Sequence, residues 1–347
     1  MRISPSRRQL LATLSVAALA PFALPGAAGA QFFVKDQVKY WQREFPRTDF
    51  TKRVVPIEEI GDGGPPRDGI PALDSAEAIP AAEESGLDDR EPVLVILIDG
   101  APPRAYPFRY LMWHEIINDR IGAVPVLASW CPLCNTGLGW DRRVDGRALT
   151  FGVTGRLRKA NLVMYDRETE SWWQQADGRA ILGTLAGKRL APVLSFTESW
   201  GAFRRRAGAE VMKKPARKIG YGRNPYTRYD SFNWPYLYRG DAPPHGIPAL
   251  ARVVAVGERA WPLARLRREG AIVEEGVRLV WHEGMGSPLD SRDITKGREI
   301  GWVEVTDAAT GRPLRHDEMF AFAFTAHHPK GRWMLGRSEK GSENSSR

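Results

Sequence analysis

Arg104-Ala105-Tyr106-Pro107-Phe108, followed by Leu111, returns as Arg259-Ala260-Trp261-Pro262-Leu263, followed by Leu266. Each copy follows an apolar run, residues 93–98 and 253–256. Each leads into a second run, ending on Trp130-Cys131 and on Trp281-His282. A continuous apolar run of this length is consistent with a strand buried on both faces. Two readings of the recurrence stand: a duplicated β-rich unit, or the accident of two short stretches. If the unit is duplicated, only the first copy carries the thiol pair Cys131 and Cys134, and His282 takes the corresponding place in the second.

Outward from this pair of stretches, the chain reads as hairpins. Asp145-Gly146 separates 138–143 from 149–153, and Asp177-Gly178 separates 172–176 from 179–182. Such dipeptides favour tight turns with positive φ. Residues 197–207 read as a helix, with Ser195 and Glu198 as a capping box. Residues 76–87 read as a short acidic helix. Residues 213–247, rich in Tyr, Pro, Asn and Gly, read as a long ordered loop. The expected fold class is β-rich α+β or α/β, hairpin-rich with few helices. Its expected divisions are 1–30, a signal; 31–90, an N-terminal extension; 91–334, one large domain; and 335–347, a disordered polar tail.

The first 30 residues have the three parts of a secretory signal. Arg2, Arg7 and Arg8 precede an apolar stretch over 10–24, and Ala28-Gly29-Ala30 offers a cleavage site before Gln31. Ser6-Arg7-Arg8-Gln9-Leu10-Leu11 resembles the twin-arginine export motif; a basic n-region of the general secretory route is the alternative. The expected partners are therefore a twin-arginine translocase and a signal peptidase, and the expected location is periplasmic or otherwise extracytoplasmic. No later segment is apolar enough to span a membrane. The net charge of +9 falls to +6 without the signal's three arginines. That excess is scattered Arg, apart from Arg204-Arg205-Arg206, and reads as a solvated surface, with no nucleic-acid partner.

Two cysteines cannot staple a chain of 347 residues, so their role is local. Trp130-Cys131-Pro132-Leu133-Cys134 permits three readings. The spacing lets two sulfurs reach one soft ion, copper before zinc, with His114 as a third ligand. It also suits a thioredoxin-like redox pair, although Asn135-Thr136-Gly137-Leu138-Gly139 is a poor helix start and such pairs use a helix N-terminus. A structural disulfide or an inert turn is the third, which would make the protein a non-catalytic ligand-binding module whose 213–247 loop contacts the ligand. A second constellation, Asp166, Arg167, Thr169, Ser171, Trp173 and Gln175, could line a pocket, or could fix a hairpin turn with a surface ion pair. Phosphate-loop, Rossmann, zinc-protease and nucleophile-elbow patterns are absent, so no nucleotide cofactor or hydrolase is expected.

These residues, in their order and spacing, resemble a bacterial family called domain of unknown function 3179. The resemblance rests on Tyr106-Pro107, Trp113-His114-Glu115, Asn118-Asp119, the Cys131–Cys134 motif, Phe151-Gly152-Val153-Thr154-Gly155, and Tyr165-Asp166-Arg167 through Trp173 and Gln175. It covers about residues 91–330. Thr154 stands where Ser is common, and His327-His328 is a private feature. The resemblance implies an exported or lipoprotein-anchored protein and supplies no activity. If the twin-arginine route reads this signal, replacing Arg7 and Arg8 together by lysine abolishes export, as fractionation of the expressing cell will show. Unchanged export would leave the general route.

Overall fold

In the computed structural model, residues 27–217 and 219–336 are described, with side chains from 36 onward. The expected signal lies outside them except for 27–30, where the first helix begins, and so does the tail beyond 336. Strand outweighs helix, 37% to 16%, which fixes the β-rich class. The strands form small, mainly antiparallel sheets arranged as a five-bladed, propeller-like ring.

Helix α1 (Ala27–Glu44) leads into two short strands, β1 (Ile60–Asp62) and β2 (Ala78–Pro80). The first copy of the repeat follows: β3 (Pro92–Leu97), β4 (Arg104–Pro107), α2 (Phe108–His114), β5 (Ile116–Ile121), β6 (Val124–Cys131) and β7 (Thr136–Asp141). Strands β8 (Arg143–Val144), β9 (Arg147–Ala148), β10 (Phe151–Arg158), β11 (Asn161–Asp166), β12 (Trp172–Gln174), β13 (Arg179–Leu182) and β14 (Ala191–Pro192) come next. The first copy then closes with β15 (Leu194–Ser199), α3 (Trp200–Phe203) and β16 (Glu210–Met212). The second copy is β17 (Arg252–Val256), β18 (Arg259–Pro262), α4 (Leu263–Glu269), β19 (Ala271–Glu274), β20 (Val277–His282), β21 (Trp302–Asp307), β22 (Asp317–Phe320), α5 (Ala321–His327) and β23 (Arg332–Trp333).

The register shows that the recurrence is a duplication. Val93 faces Pro107 and Ile96 faces Arg104; in the second copy Val253 faces Pro262 and Val256 faces Arg259. Strand β15 pairs antiparallel with β3, and β22 does so with β17. Parallel to β4 lies β16, and parallel to β18 lies β23. After each short helix one residue turns left-handed, Glu115 (φ 56°) or Gly270 (φ 72°). The Trp130 N–H bonds to the Glu115 carbonyl at 2.9 Å, and that of Trp281 to the Gly270 carbonyl at 2.8 Å. Cys131 and His282 are therefore equivalent positions. The copies also interlock: Phe320 N–H of β22 donates to the Cys134 carbonyl (3.0 Å), and Gly137 N–H donates to Asp317 (3.2 Å).

Three local expectations are corrected. Residues 194–199 are strand β15, and only Trp200–Phe203 are helical. Pairing with the apolar β3 overrides local helix propensity. The cap is Ser199, whose Oγ accepts from Ala202 N–H, while Ser195 Oγ accepts from Gly139 N–H at 3.0 Å. Residues 76–87 form β2 and a single 3-10 turn (Ala81–Glu83), because β16 recruits Ala78–Pro80 into its sheet. The segment 31–90 is woven into the sheets rather than appended to them: β1 pairs with β10, and Trp41, Phe45 and Phe50 pack on Trp172.

Gly155 pins this segment in place. It sits at a bulge in β10 with φ +74°, and a Cβ there would lie 1.8 Å from the Pro65 carbonyl oxygen. Gly155→Ala is expected to lose roughly 3 kcal/mol in a denaturant melt, since both backbone and neighbour resist it. Gly257→Ala, with φ +58° and open space around it, should lose only about 1 kcal/mol.

Candidate thiol site

Cys131 ends β6 and Thr136 opens β7, directly opposite it. The four residues between them form the hairpin turn, closed by Asn135 in the left-handed region (φ 56°). Asn is among the side chains that tolerate this conformation. Three bonds from elsewhere in the chain hold the turn. Tyr229 OH donates to the Leu133 carbonyl (2.7 Å), Asn135 Nδ2 donates to the Glu318 carbonyl (2.7 Å), and Phe320 N–H bonds Cys134. Both sulfurs are unbonded thiols, and both are buried.

The two thiols have different surroundings. Cys134 Sγ accepts a hydrogen bond from Asn161 Nδ2 at 2.9 Å and lies 3.1 Å from Thr136 Oγ1. The Asn161 amide is oriented without ambiguity, because its Oδ1 accepts from the Ala176 backbone N–H (3.0 Å). Gln175 completes the network: its Oε1 accepts from Thr136 Oγ1 (2.7 Å) and Asn161 Nδ2 (2.8 Å), and its Nε2 donates to the Thr136 carbonyl (3.2 Å). With the Thr136 hydroxyl proton given to Gln175, the Cys134 thiol is the donor to Thr136.

Cys131 instead lines a cavity of about 450 Å3, together with Glu115, Leu133, Val153, Leu162 and Tyr226. Burial pushes its thiol well above the ordinary value; the bond and charge of Cys134 add to this, and so does the charge of Glu115. Among the described residues, the Glu115 carboxyl accepts no side-chain hydrogen bond, and burial alone raises its pKa to about 8. Its backbone stands where the second copy has a glycine. A long side chain held at positive φ costs about 1–3 kcal/mol and tends to mark a functional position.

The expected third metal ligand, His114, faces another way. Its Nδ1 donates to the Pro71 carbonyl (2.6 Å), so its Nε2 accepts from Tyr221 OH (2.7 Å). Burial lowers its pKa, which keeps the ring neutral. Among the described residues no three His, Cys, Asp or Glu side chains are grouped to hold a metal ion. Asp166 accepts from Thr169 N–H (2.6 Å), Thr169 Oγ1 (2.8 Å) and Trp173 Nε1 (2.9 Å), and Ser171 Oγ joins Thr169 Oγ1 (2.8 Å). Arg167 pairs with Asp74 at the surface. Asp166, Thr169, Ser171 and Trp173 satisfy one another within a hairpin turn, and none of the five residues lines the Cys131 cavity or the larger one of about 710 Å3. Of the six, Gln175 alone joins the network behind Cys134, through Thr136 and Asn161. Sequence reasoning missed Glu115 and Asn161 as site residues. The signal for Glu115 was present: in the repeat it aligns with Gly270.

The fold and site define a β-rich, propeller-like protein with a buried dithiol beside a buried carboxyl. Its sequence matches, over residues 67–331, the family described as Protein of unknown function (DUF3179), and the chain belongs to that family. No curated protein and no solved structure matches it.

The raised Glu115 carboxyl makes a signed prediction. Between about pH 4.5 and 8 the folded state holds a proton that the unfolded chain has released, so this group's contribution to stability falls as pH rises and levels off above about 8. Glu115→Gln should remove that slope, so the two melts diverge by up to about 1.4 kcal/mol per pH unit. Parallel curves would show that Glu115 titrates normally.

Proposed function

We propose that the protein is an extracytoplasmic thiol–disulfide oxidoreductase working through Cys131 and Cys134. The observation that carries this reading is the pairing of Cys131 with the buried Glu115 carboxyl in one cavity. A thiol raised by burial lacks the helix N-terminus that activates many redox cysteines. It therefore calls for a base, and a carboxyl of pKa about 8 is suited to that work.

The ionised Glu115 takes the Cys131 proton. The Cys131 sulfur attacks one sulfur of a substrate disulfide, the substrate S–S bond breaks, and the departing thiolate takes the proton back from Glu115. Cys134 then attacks the Cys131 sulfur of the mixed disulfide. A Cys131–Cys134 bond forms, and the second substrate thiol leaves with the Cys134 proton. The protein loses two electrons and two protons, and the substrate gains them. The same steps run in reverse from the oxidised pair.

A second reading uses the same sulfurs as ligands. They sit on a hairpin turn, and a bound soft cation would drive off both thiol protons without any helix. With His114 engaged by Pro71 and Tyr221, two sulfurs remain, which suits copper better than zinc with its usual four ligands.

Mass spectrometry under graded reduction is expected to show a disulfide that forms with loss of two hydrogen atoms from the pair and is reversed by reductant, abolished in Cys131→Ser. Glu115→Gln should slow oxidation about 100-fold and flatten its rise through pH 8. Asn161→Ala, by releasing Cys134, should let the mixed disulfide on Cys131 accumulate. A pair that stays reduced at every potential would sink the redox reading. Stoichiometric copper, lost in a Cys131→Ser, Cys134→Ser variant, would put the second reading in its place; equal, near-zero metal in both proteins would remove that one.

A further inference from the structure

The Cys131 cavity does not end at the thiol. It adjoins a larger one of about 710 Å3, and both are lined by Leu157 and Leu237. Leu237 is unusual in two respects. It holds φ +59°, a conformation strained for a branched apolar residue, and it is 57% exposed. Burial therefore does not explain why an apolar side chain stands there. Its neighbours Phe232, Trp234 and Tyr236 are 40–50% exposed. The loop that carries them is nonetheless ordered, with Trp234 Nε1 bonded to the Tyr238 carbonyl (3.1 Å) and Tyr236 packed on Tyr229, the residue that holds the cysteine turn.

The inner cavity is apolar along Ile70, Leu133, Val153 and Leu162. Two of its lining groups can carry charge near neutral pH. Glu115 is mostly protonated below pH 8, and Arg156, ion-paired with Glu44 and Asp62, keeps one buried Nε–H without a partner among the described residues. A ligand carboxylate entering this space would lose its water and meet a guanidinium already neutralised by Glu44, and the one remaining N–H does not offset that desolvation. An aliphatic or aromatic side chain would gain from the same walls.

We propose that Cys131 serves disulfides flanked by a large apolar side chain, as in a polypeptide segment, and that Leu237 is the residue that selects them. The apolar side chain next to the substrate cysteine packs on Leu237 and Tyr236 while its sulfur meets Cys131. Small anionic disulfides such as oxidised glutathione are disfavoured by their carboxylates. This inference rests on the redox reading above.

The test compares three oxidants of the reduced full-length mature protein: a peptide disulfide with Leu and Phe beside its cysteine, the same peptide with two Asp there, and oxidised glutathione. The apolar peptide is expected to oxidise the pair about tenfold faster than either of the others. Leu237→Glu should remove that preference by lowering the rate with the apolar peptide about tenfold. Leu237→Gly, which relieves the backbone strain, covers the case in which the glutamate variant fails to fold; it too should lose the preference. Equal rates with all three oxidants, or a preference unchanged in the Leu237 variants, overturns the selection while leaving the redox reading intact. Failure of every oxidant to form the Cys131–Cys134 disulfide overturns the redox reading, and this inference with it.

Discussion

The hydrogen bonds that cross between the two copies at the cysteine turn are the constraint on which the rest of the site depends. A turn of four residues with a left-handed Asn135 has little to hold it from within. Phe320 N–H, the Glu318 carbonyl and Tyr229 OH supply what the turn lacks, and the first two come from the second copy. Cys131, placed this way, faces a cavity whose walls come from β6, β10, β11 and the 213–247 loop. The site is thus a property of the closed ring and not of one hairpin. Removing any of these buried partners would strand a carbonyl or an amide, at about 1–3 kcal/mol each.

Glu115 shows how the duplication was put to use. Both copies end the helix with a left-handed residue whose N–H returns to the helix, from Glu115 to Leu111 and from Gly270 to Leu266. Glycine takes that position at no steric cost. The first copy instead carries a buried carboxyl without a hydrogen-bond partner among the described residues, which adds desolvation to backbone strain. Two penalties at one residue, next to a thiol and absent from the sister position, are hard to assign to folding. Natural chains tend to break local rules of this kind where chemistry requires it.

Much of the framework was legible in the sequence because it rests on local signals. The apolar runs at 93–98 and 253–256 became β3 and β17, and the Arg-Ala-aromatic-Pro recurrence became matching registers; Asp177-Gly178 joins β12 to β13 as expected, whereas Asp145-Gly146 joins only β8 to β9, and β7 and β10 belong to different sheets. Illegible were the features decided by distant partners. Thr197 and Glu198 look helical until β3 claims them. Asp166 and Trp173 look like an open cluster until their polar atoms are found to satisfy each other. His114 looks like a ligand beside the cysteines, yet Pro71 and Tyr221, 43 and 107 residues away in the chain, already engage its ring. Asn161 gave no signal, since only the fold sets its amide against Cys134.

The asymmetry between the copies has a topological cause. Between β7 and β15 the first copy inserts β8 to β14, whereas the second joins β21 to β22 through nine residues, 308–316. The insertion supplies Asn161 and Gln175 behind Cys134, and Val153 and Leu162 beside Cys131. The second copy has no such wall over its equivalent position. His282 there is partly exposed, stacked on Trp302 at 4.4 Å and beside Glu304. A thiol left that open would face solvent and oxidants directly, while the histidine there sets its ring on Trp302 and its Nε2 beside Glu304. The same backbone position therefore carries different chemistry in the two copies because only one of them was given a cover. That cover, rather than the Cys-x-x-Cys spacing, is what makes the first copy a site.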